Sequence, residues 1–281
     1  MREFKKSSKL DNVLYDVRGP VVEEANRMEA CGTQVLKLNI GNPAPFGFRT
    51  PDEVIYDMSH QLTDCEGYSP SQGLFSARKA IMQYAQLKKL PNVSIDDIYT
   101  GNGVSELINL CMSALLDDGD EILIPSPDYP LWTACATLAG GKAVHYICDE
   151  QSEWYPDLDD IEKKITDRTK AIVIINPNNP TGTYVPIGEL EAFADTLPED
   201  VLLVMDEAYM EFATEPDCCS MVDYMKAHPE KPILVLRTFS KYYAMAGLRV
   251  GYALGSEELI GIMRKCSASW NLNVCAQKAA E

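Results

Sequence analysis

Lys241 closes the run Arg237-Thr238-Phe239-Ser240-Lys241, and Arg249 follows it by eight residues. A lysine amine becomes a nucleophile toward aldehydes when burial or a neighbouring charge lowers its pKa. Thr238, Ser240 and Arg249 add two hydroxyls and a guanidinium, a donor set suited to a phosphate. Asp206 and Tyr209 lie in Val204-Met205-Asp206-Glu207-Ala208-Tyr209, after an apolar run. A carboxylate leaving a buried strand calls for a cationic partner such as a protonated ring nitrogen; a helix N-cap is an equal reading of that motif alone. In Asn176-Pro177-Asn178-Asn179-Pro180-Thr181-Gly182 two prolines stiffen a loop that can hold an asparagine amide toward a ligand oxygen. Gly101-Asn102-Gly103-Val104-Ser105-Glu106 leads into a helix whose first amides offer an anion site, or form a plain strand–helix turn with Ser105 near the N-cap.

Other chemistries lack their residues. Glu106 stands where a dinucleotide fingerprint needs its third glycine, and no Gly-Lys-Ser/Thr ending makes a nucleotide P-loop. The three histidines, His60, His145 and His228, form no zinc spacing, so no metal is expected. No G-x-S-x-G elbow is present. Lys plus Arg number 25 against 42 Asp plus Glu, a net charge of -17 that argues against nucleic acid as partner. Nine cysteines with no C-x-x-C suggest reduced thiols and a cytoplasmic location. The basic start MREFKKSSKLDNV is followed by no apolar signal region, and no apolar run is long enough for a membrane span.

The elements that must position these residues alternate along the chain. Strands are expected at 98–100, 121–125, 143–147, 171–175, 201–205, 233–236 and 249–253, the last able to run against the others. Helices are expected at 104–116, 131–138, 158–165, 187–196 and 257–265. This alternation predicts an α/β fold with a mainly parallel seven-stranded sheet, and its ligands belong beyond the carboxyl ends of the strands. Continuous runs such as AIVII and VLLVM suit strands covered on both faces. Pro20, Pro43 and Pro45 with Gly41 and Gly47 break residues 1–50 into an arm, leaving 51–281 as the packed domain.

Together, in this order, G-N-G-V-S-E-L, P-D-Y-P-L-W, N-P-N-N-P-T-G, D-E-A-Y and T-F-S-K resemble the class I/II aminotransferases, fold-type I enzymes that use pyridoxal 5'-phosphate. The resemblance covers nearly the whole chain. It implies a Schiff base on Lys241, which would also act as the base for proton transfer. Asp206 would pair with the ring nitrogen, Tyr209 and Asn179 would bond the ring's phenolic oxygen, and Tyr129 would stack on the ring. Val104, Ser105, Thr238, Ser240 and Arg249 would hold the phosphate. Tyr68 would reach the phosphate of a neighbouring subunit, implying a homodimer, and Gly41 with Asn179 would lie at the substrate.

The resemblance is divided by subfamily. Residues 7 to about 182 are similar to glutamate–pyruvate (alanine) aminotransferases, and the rest, from Thr183, to histidinol-phosphate aminotransferases. The arm belongs to the first part, so an alanine- or glutamate-type amino acid and a 2-oxo acid are the expected substrates. The family also has a C-terminal small domain with an arginine that clamps the substrate carboxylate, and no arginine here matches it. Histidinol-phosphate transamination, C–S lysis on the same fold and a cofactor-binding fragment without turnover are the alternatives.

Overall fold

The computed structural model describes residues 5–13 and 19–281. Residues 1–4 and 14–18 of the expected arm lie outside the described residues. Eight strands form one sheet: β1 (Ile98–Gly101), β2 (Glu121–Ser126), β3 (Lys142–Asp149), β4 (Tyr155–Pro156), β5 (Thr169–Ile175), β6 (Leu202–Asp206), β7 (Ile233–Thr238) and β8 (Gly251–Leu254). Their order is β1-β8-β7-β6-β5-β2-β3-β4. Strands β3, β2, β5, β6 and β7 run parallel, whereas β8 is antiparallel to both β7 and β1.

The seven expected strands are all present. The eighth, β4, has two residues paired with the end of β3, too short to show a period-2 pattern. Strand β8 begins at Gly251 rather than at Arg249, because Arg249 has left-handed backbone (φ +60°) that no strand accommodates.

Ten helices complete the described fold: α1 (Pro20–Ala30), α2 (Asp52–His60), α3 (Phe75–Leu87), α4 (Gly103–Leu115), α5 (Leu131–Ala139), α6 (Leu158–Lys164), α7 (Ile187–Thr196), α8 (Val222–Ala227), α9 (Glu257–Cys266) and α10 (Val274–Ala279). The five expected helices are α4, α5, α6, α7 and α9. Pro20, read as a breaker, instead opens α1, because proline's missing N–H costs nothing at the first helical position. Helix α1 buries none of its residues.

The apolar strands serve two cores, as their continuous hydrophobicity requires. Leu123, Ile172, Ile174, Leu203, Met205 and Val235 pack beneath α3, α6, α7 and α8. Their sequence neighbours Ile122, Ile124, Val173, Val204 and Leu234 face α4, α5 and α9. A third cluster joins Met245 and Val250 to Leu272, Ala276 and Ala279, with Val54 and Met58 of α2 against it. Gln277, fully buried, knits that cluster to the segment before α3: its Oε1 accepts from the Leu74 amide at 2.5 Å and its Nε2 donates to Ser69 Oγ at 2.8 Å. No helix among the described residues is long and apolar enough to cross a membrane.

Candidate active site at the carboxyl edge of the sheet

Strand register builds the site. Gly251 of β8 lies opposite Gly101 at the end of β1 and opposite Thr238 at the end of β7. A Cβ on Gly251 would stand 3.0 Å from the Gly103 carbonyl carbon, so the start of α4 presses on the same row. Asp206 ends β6, between Ile175 of β5 and Leu236 of β7. The chemistry-bearing side chains therefore leave the carboxyl ends of adjacent parallel strands, as open α/β sheets dictate.

Lys241 follows β7 by three residues. Its Nζ donates to the Gly41 carbonyl at 2.6 Å and lies 5.5 Å from the centroid of the Tyr209 ring. Burial lowers its pKa, the Arg249 charge lowers it further, and Asp206 opposes both. Gly41 sits so close that an added Cβ would be 2.5 Å from Tyr209 Oη and 3.1 Å from Lys241 Nζ. The arm thus reaches the lysine through a glycine whose replacement would push back the Tyr209 hydroxyl and the Lys241 amine.

Asp206 is 3% exposed and makes no ion pair among the described residues. The Trp132 indole N–H donates to its Oδ2 at 3.1 Å, and the Ala208 amide donates to Oδ1 at 3.2 Å. Burial pushes this carboxyl up to about 6, against the pull of those two donors; Glu207 adds to the rise and Lys241 opposes it. Asp206 is no N-cap: no α-helix follows it, and the amide it accepts from is two residues on, in a turn. Tyr209 is half-buried, and burial followed by the Asp206 charge raises its hydroxyl pKa.

The anion end lies at the start of α4. Its N-cap is Asn102, one turn earlier than Ser105, with no side-chain cap, so the first-turn amides of Gly103, Val104 and Ser105 have no partner within the helix. Gly103 has φ +71°, and a Cβ there would meet the Arg249 guanidinium at 2.9 Å. Arg249 Nη2 also donates to the Asn102 carbonyl at 3.3 Å. Thr238 and Ser240 are buried and hydrogen-bonded to one another at 2.9 Å.

The remaining expected residues are less closely gathered. Tyr129, between β2 and α5, packs half-buried against the second core cluster. Tyr68 is 82% exposed and stacks on Trp270 with ring centroids 4.6 Å apart. Asn179 is half-buried, and no hydrogen bond among the described residues joins it to Lys241 or Tyr209. Asn176 is the buried amide of that loop (1% exposed): it accepts from the Val185 amide at 2.8 Å and donates to the Val185 carbonyl at 3.1 Å. Asn178 accepts from both the Thr181 amide and its hydroxyl, so the loop is held from inside.

Two features escaped the sequence reading. Trp132 stands three residues after Tyr129 in the same motif, a spacing that hints at a shared site without naming a partner. The other is a buried ion cluster next to Asp206. Arg237 Nη2 meets Glu207 Oε2 at 2.7 Å and Arg237 Nη1 meets Glu211 Oε1 at 3.0 Å. Ser220 Oγ and the Met221 amide also donate to Glu207. Replacing Arg237 with alanine strands two buried carboxylates and is expected to cost about 3–5 kcal/mol of stability. Urea denaturation of the variant checks this; an unchanged midpoint would remove the cluster from the set of structural supports.

The chain matches the family model for aminotransferase class I and II over residues 33–281. It is 48% identical over 297 aligned positions to the glutamate-pyruvate aminotransferase AlaA of Escherichia coli (strain K12), covering 100% of this chain and 71% of that one. Histidinol-phosphate aminotransferase 2 of Carboxydothermus hydrogenoformans is 37% identical, with 96% of this chain and 71% of that one covered. Both groups named from sequence are thus present, with the higher overall identity on the alanine side. The crystal structure of an aminotransferase from Escherichia coli superposes with a TM-score of 0.90 at 46% identity, over 99% of this chain and 70% of that one. Family model, relatives and fold agree: the chain belongs to the class I and II aminotransferases.

Proposed function

We propose that this chain binds pyridoxal 5'-phosphate on Lys241 and moves an amino group between an alanine- or glutamate-type amino acid and a 2-oxo acid. The observation that carries the reading is the meeting of Lys241, its pKa lowered, with Asp206, a buried carboxylate that has no ion-pair partner among the described residues. The residues fit the cofactor at both ends. A ring nitrogen would give Asp206 a cation, and the α4 amides with Arg249 form a positively polarised end for the phosphate. Bound there, the cofactor supplies an aldehyde for the incoming amine and a ring that takes up electrons.

The chain's own groups do the rest. Asp206 keeps a negative charge at the ring nitrogen. Lys241 would take and return a proton at the bound substrate; an amine with a lowered pKa does so more readily near neutrality. Tyr209 and Asn179 tune the ring oxygen, and Tyr129 covers one ring face. Val104, Ser105, Thr238, Ser240 and Arg249 grip the phosphate. Residues 1–50 serve as the substrate arm of the domain at 51–281, a reading supported by the Gly41–Lys241 contact. Exposed Leu36, Leu38 and Ile40 on that arm, with exposed Tyr68, support a homodimer in which Tyr68 reaches the partner's phosphate. The cytoplasm is the proposed compartment.

The deciding experiment loads the protein with pyridoxal 5'-phosphate and adds L-alanine with no acceptor. One pyruvate per loaded chain is expected, since a transaminase completes this half-reaction alone. No pyruvate from a fully loaded protein overturns the reading, and sulfide release from cysteine in its place points to a lyase. Gly103→Ala tests the phosphate end: left-handed strain of ~1–2 kcal/mol and displacement of Arg249 should weaken cofactor affinity about tenfold, read by absorbance titration.

A further inference from the structure

Asp206 would have to hold its charge in a place that disfavours charge. It is almost fully buried, with Glu207 adjacent, and both press it toward its neutral form. Two donors oppose them, and they differ in origin. The Ala208 amide belongs to Asp206's own turn and moves with it. Trp132 comes from α5, on another segment of the chain. Its side chain is 0% exposed and wedged in the core cluster that contains Ile124, Cys135, Ala136 and Val204. Close packing fixes its ring, so the indole N–H points from a place the sheet and helices determine.

An indole has one donor and no acceptor, and burying that donor without a partner would cost ~1–3 kcal/mol. Tryptophan at a fully buried position whose N–H meets a carboxylate is more than core filling; phenylalanine or leucine would fill the space without that demand. The bond leaves Asp206 acceptor capacity to spare, because an ionised carboxylate has about four lone-pair sites and the chain uses two.

We propose that Trp132 is a positioning residue for Asp206: its core-anchored indole N–H sets the orientation of the carboxylate and holds it ionised toward the ring nitrogen of bound pyridoxal 5'-phosphate. This rests on the reading of Asp206 given above. A hydrogen bond donated to a carboxylate favours its charged form, and the charged form is what keeps the ring nitrogen protonated. Without the indole, Asp206 retains one donor from its own turn, which fixes neither its rotamer nor its charge.

The test is a cycle of four proteins: wild type, Trp132→Phe, Asp206→Asn and the double variant. Each is stripped of cofactor and titrated with pyridoxal 5'-phosphate, and the bound cofactor's isotope-labelled ring nitrogen is then read by NMR. In the native background, Trp132→Phe should weaken affinity roughly 10- to 100-fold, the range for a hydrogen bond to a charged group. It should also move the ring-nitrogen signal from the protonated toward the unprotonated position. In the Asp206→Asn background the same change should alter affinity less than about twofold, because there is no charge left to hold.

An equal loss in both backgrounds with an unmoved nitrogen signal reduces Trp132 to packing and overturns the proposal. Should Trp132→Phe fail to fold, 3-benzothienylalanine at position 132 replaces the N–H with sulfur at nearly constant shape, and the same readouts apply. An Asp206→Asn protein that keeps both wild-type affinity and the protonated signal refutes the Asp206 reading itself, an outcome separable from failure of Trp132 alone.

Discussion

Replacing Lys241 with alanine is expected to leave a folded protein that releases pyruvate from L-alanine about 10,000-fold more slowly. The size follows from the two tasks that meet in one amine, attachment and proton transfer, the second alone contributing up to about four orders of magnitude. The fold has little reason to fail. Lys241 lies in a loop beyond β7, and among the described residues the one hydrogen bond of its amine goes to the Gly41 carbonyl. Borohydride reduction of the loaded wild type should fix a pyridoxyl mass on the peptide containing Lys241, and K241A should carry none. A label on another lysine, or undiminished pyruvate release by K241A, contradicts the central assignment.

Asp206→Asn is expected to act in opposite directions on function and stability. With cofactor, the loss of a buried charge from an ion pair should cost about 3–5 kcal/mol, on the order of 1,000-fold in affinity. Without cofactor the variant should be the more stable protein. The Asp206 carboxyl titrates near 6 in the folded chain against a reference of 3.8, a raised value caused by burial. A raised acid favours its protonated form, so its contribution to folding is fully present below about pH 4 and is lost as pH rises through 6. Ionised Asp206 therefore costs the cofactor-free fold about 3 kcal/mol at neutral pH, which asparagine avoids. Urea unfolding of the cofactor-free proteins should show Asp206→Asn ahead at about pH 7.5, with the gap closing toward pH 4. A wild type as stable as the variant at neutral pH would mean that Asp206 is not strained by burial.

This opposition also explains which parts of the site could be read in advance. Lys241, Asp206 and Arg249 are legible only as a set: a lone strand-end charge reads as ordinary, but the motifs that carry these three occur together in one family order. The strands themselves were legible because burial on both faces makes them continuous apolar runs. Trp132 was not, since a tryptophan among apolar residues reads as core and its one polar atom finds a partner 74 positions away. Arg237, Glu207 and Glu211 looked like ordinary strand-end charges until the fold buried them together. Helices α2, α3 and α10 were missed for a related reason. They are held by tertiary contacts, such as Gln277 reaching Ser69 and Leu74, which no local window contains. Asn179 was favoured within its motif, whereas the amide the fold buries there is Asn176, held by Val185.

The pairing of β1 with β8 bears on the order in which the protein comes into being. Ile98 lies beside Leu254, so the strand that delivers the start of α4 finds its neighbour only after β2 to β7 have been made. The loop with Lys241 rests in turn on Leu272, Ala276 and Ala279. Contacts so distant along the chain form late, since loop closure must precede them. The parallel strands from β2 to β6 can collapse first, while the anion end and the lysine loop set together once β8 and α10 are available. Capture of pyridoxal 5'-phosphate by a nascent chain would then appear abruptly once β8 and α10 have emerged, and not before.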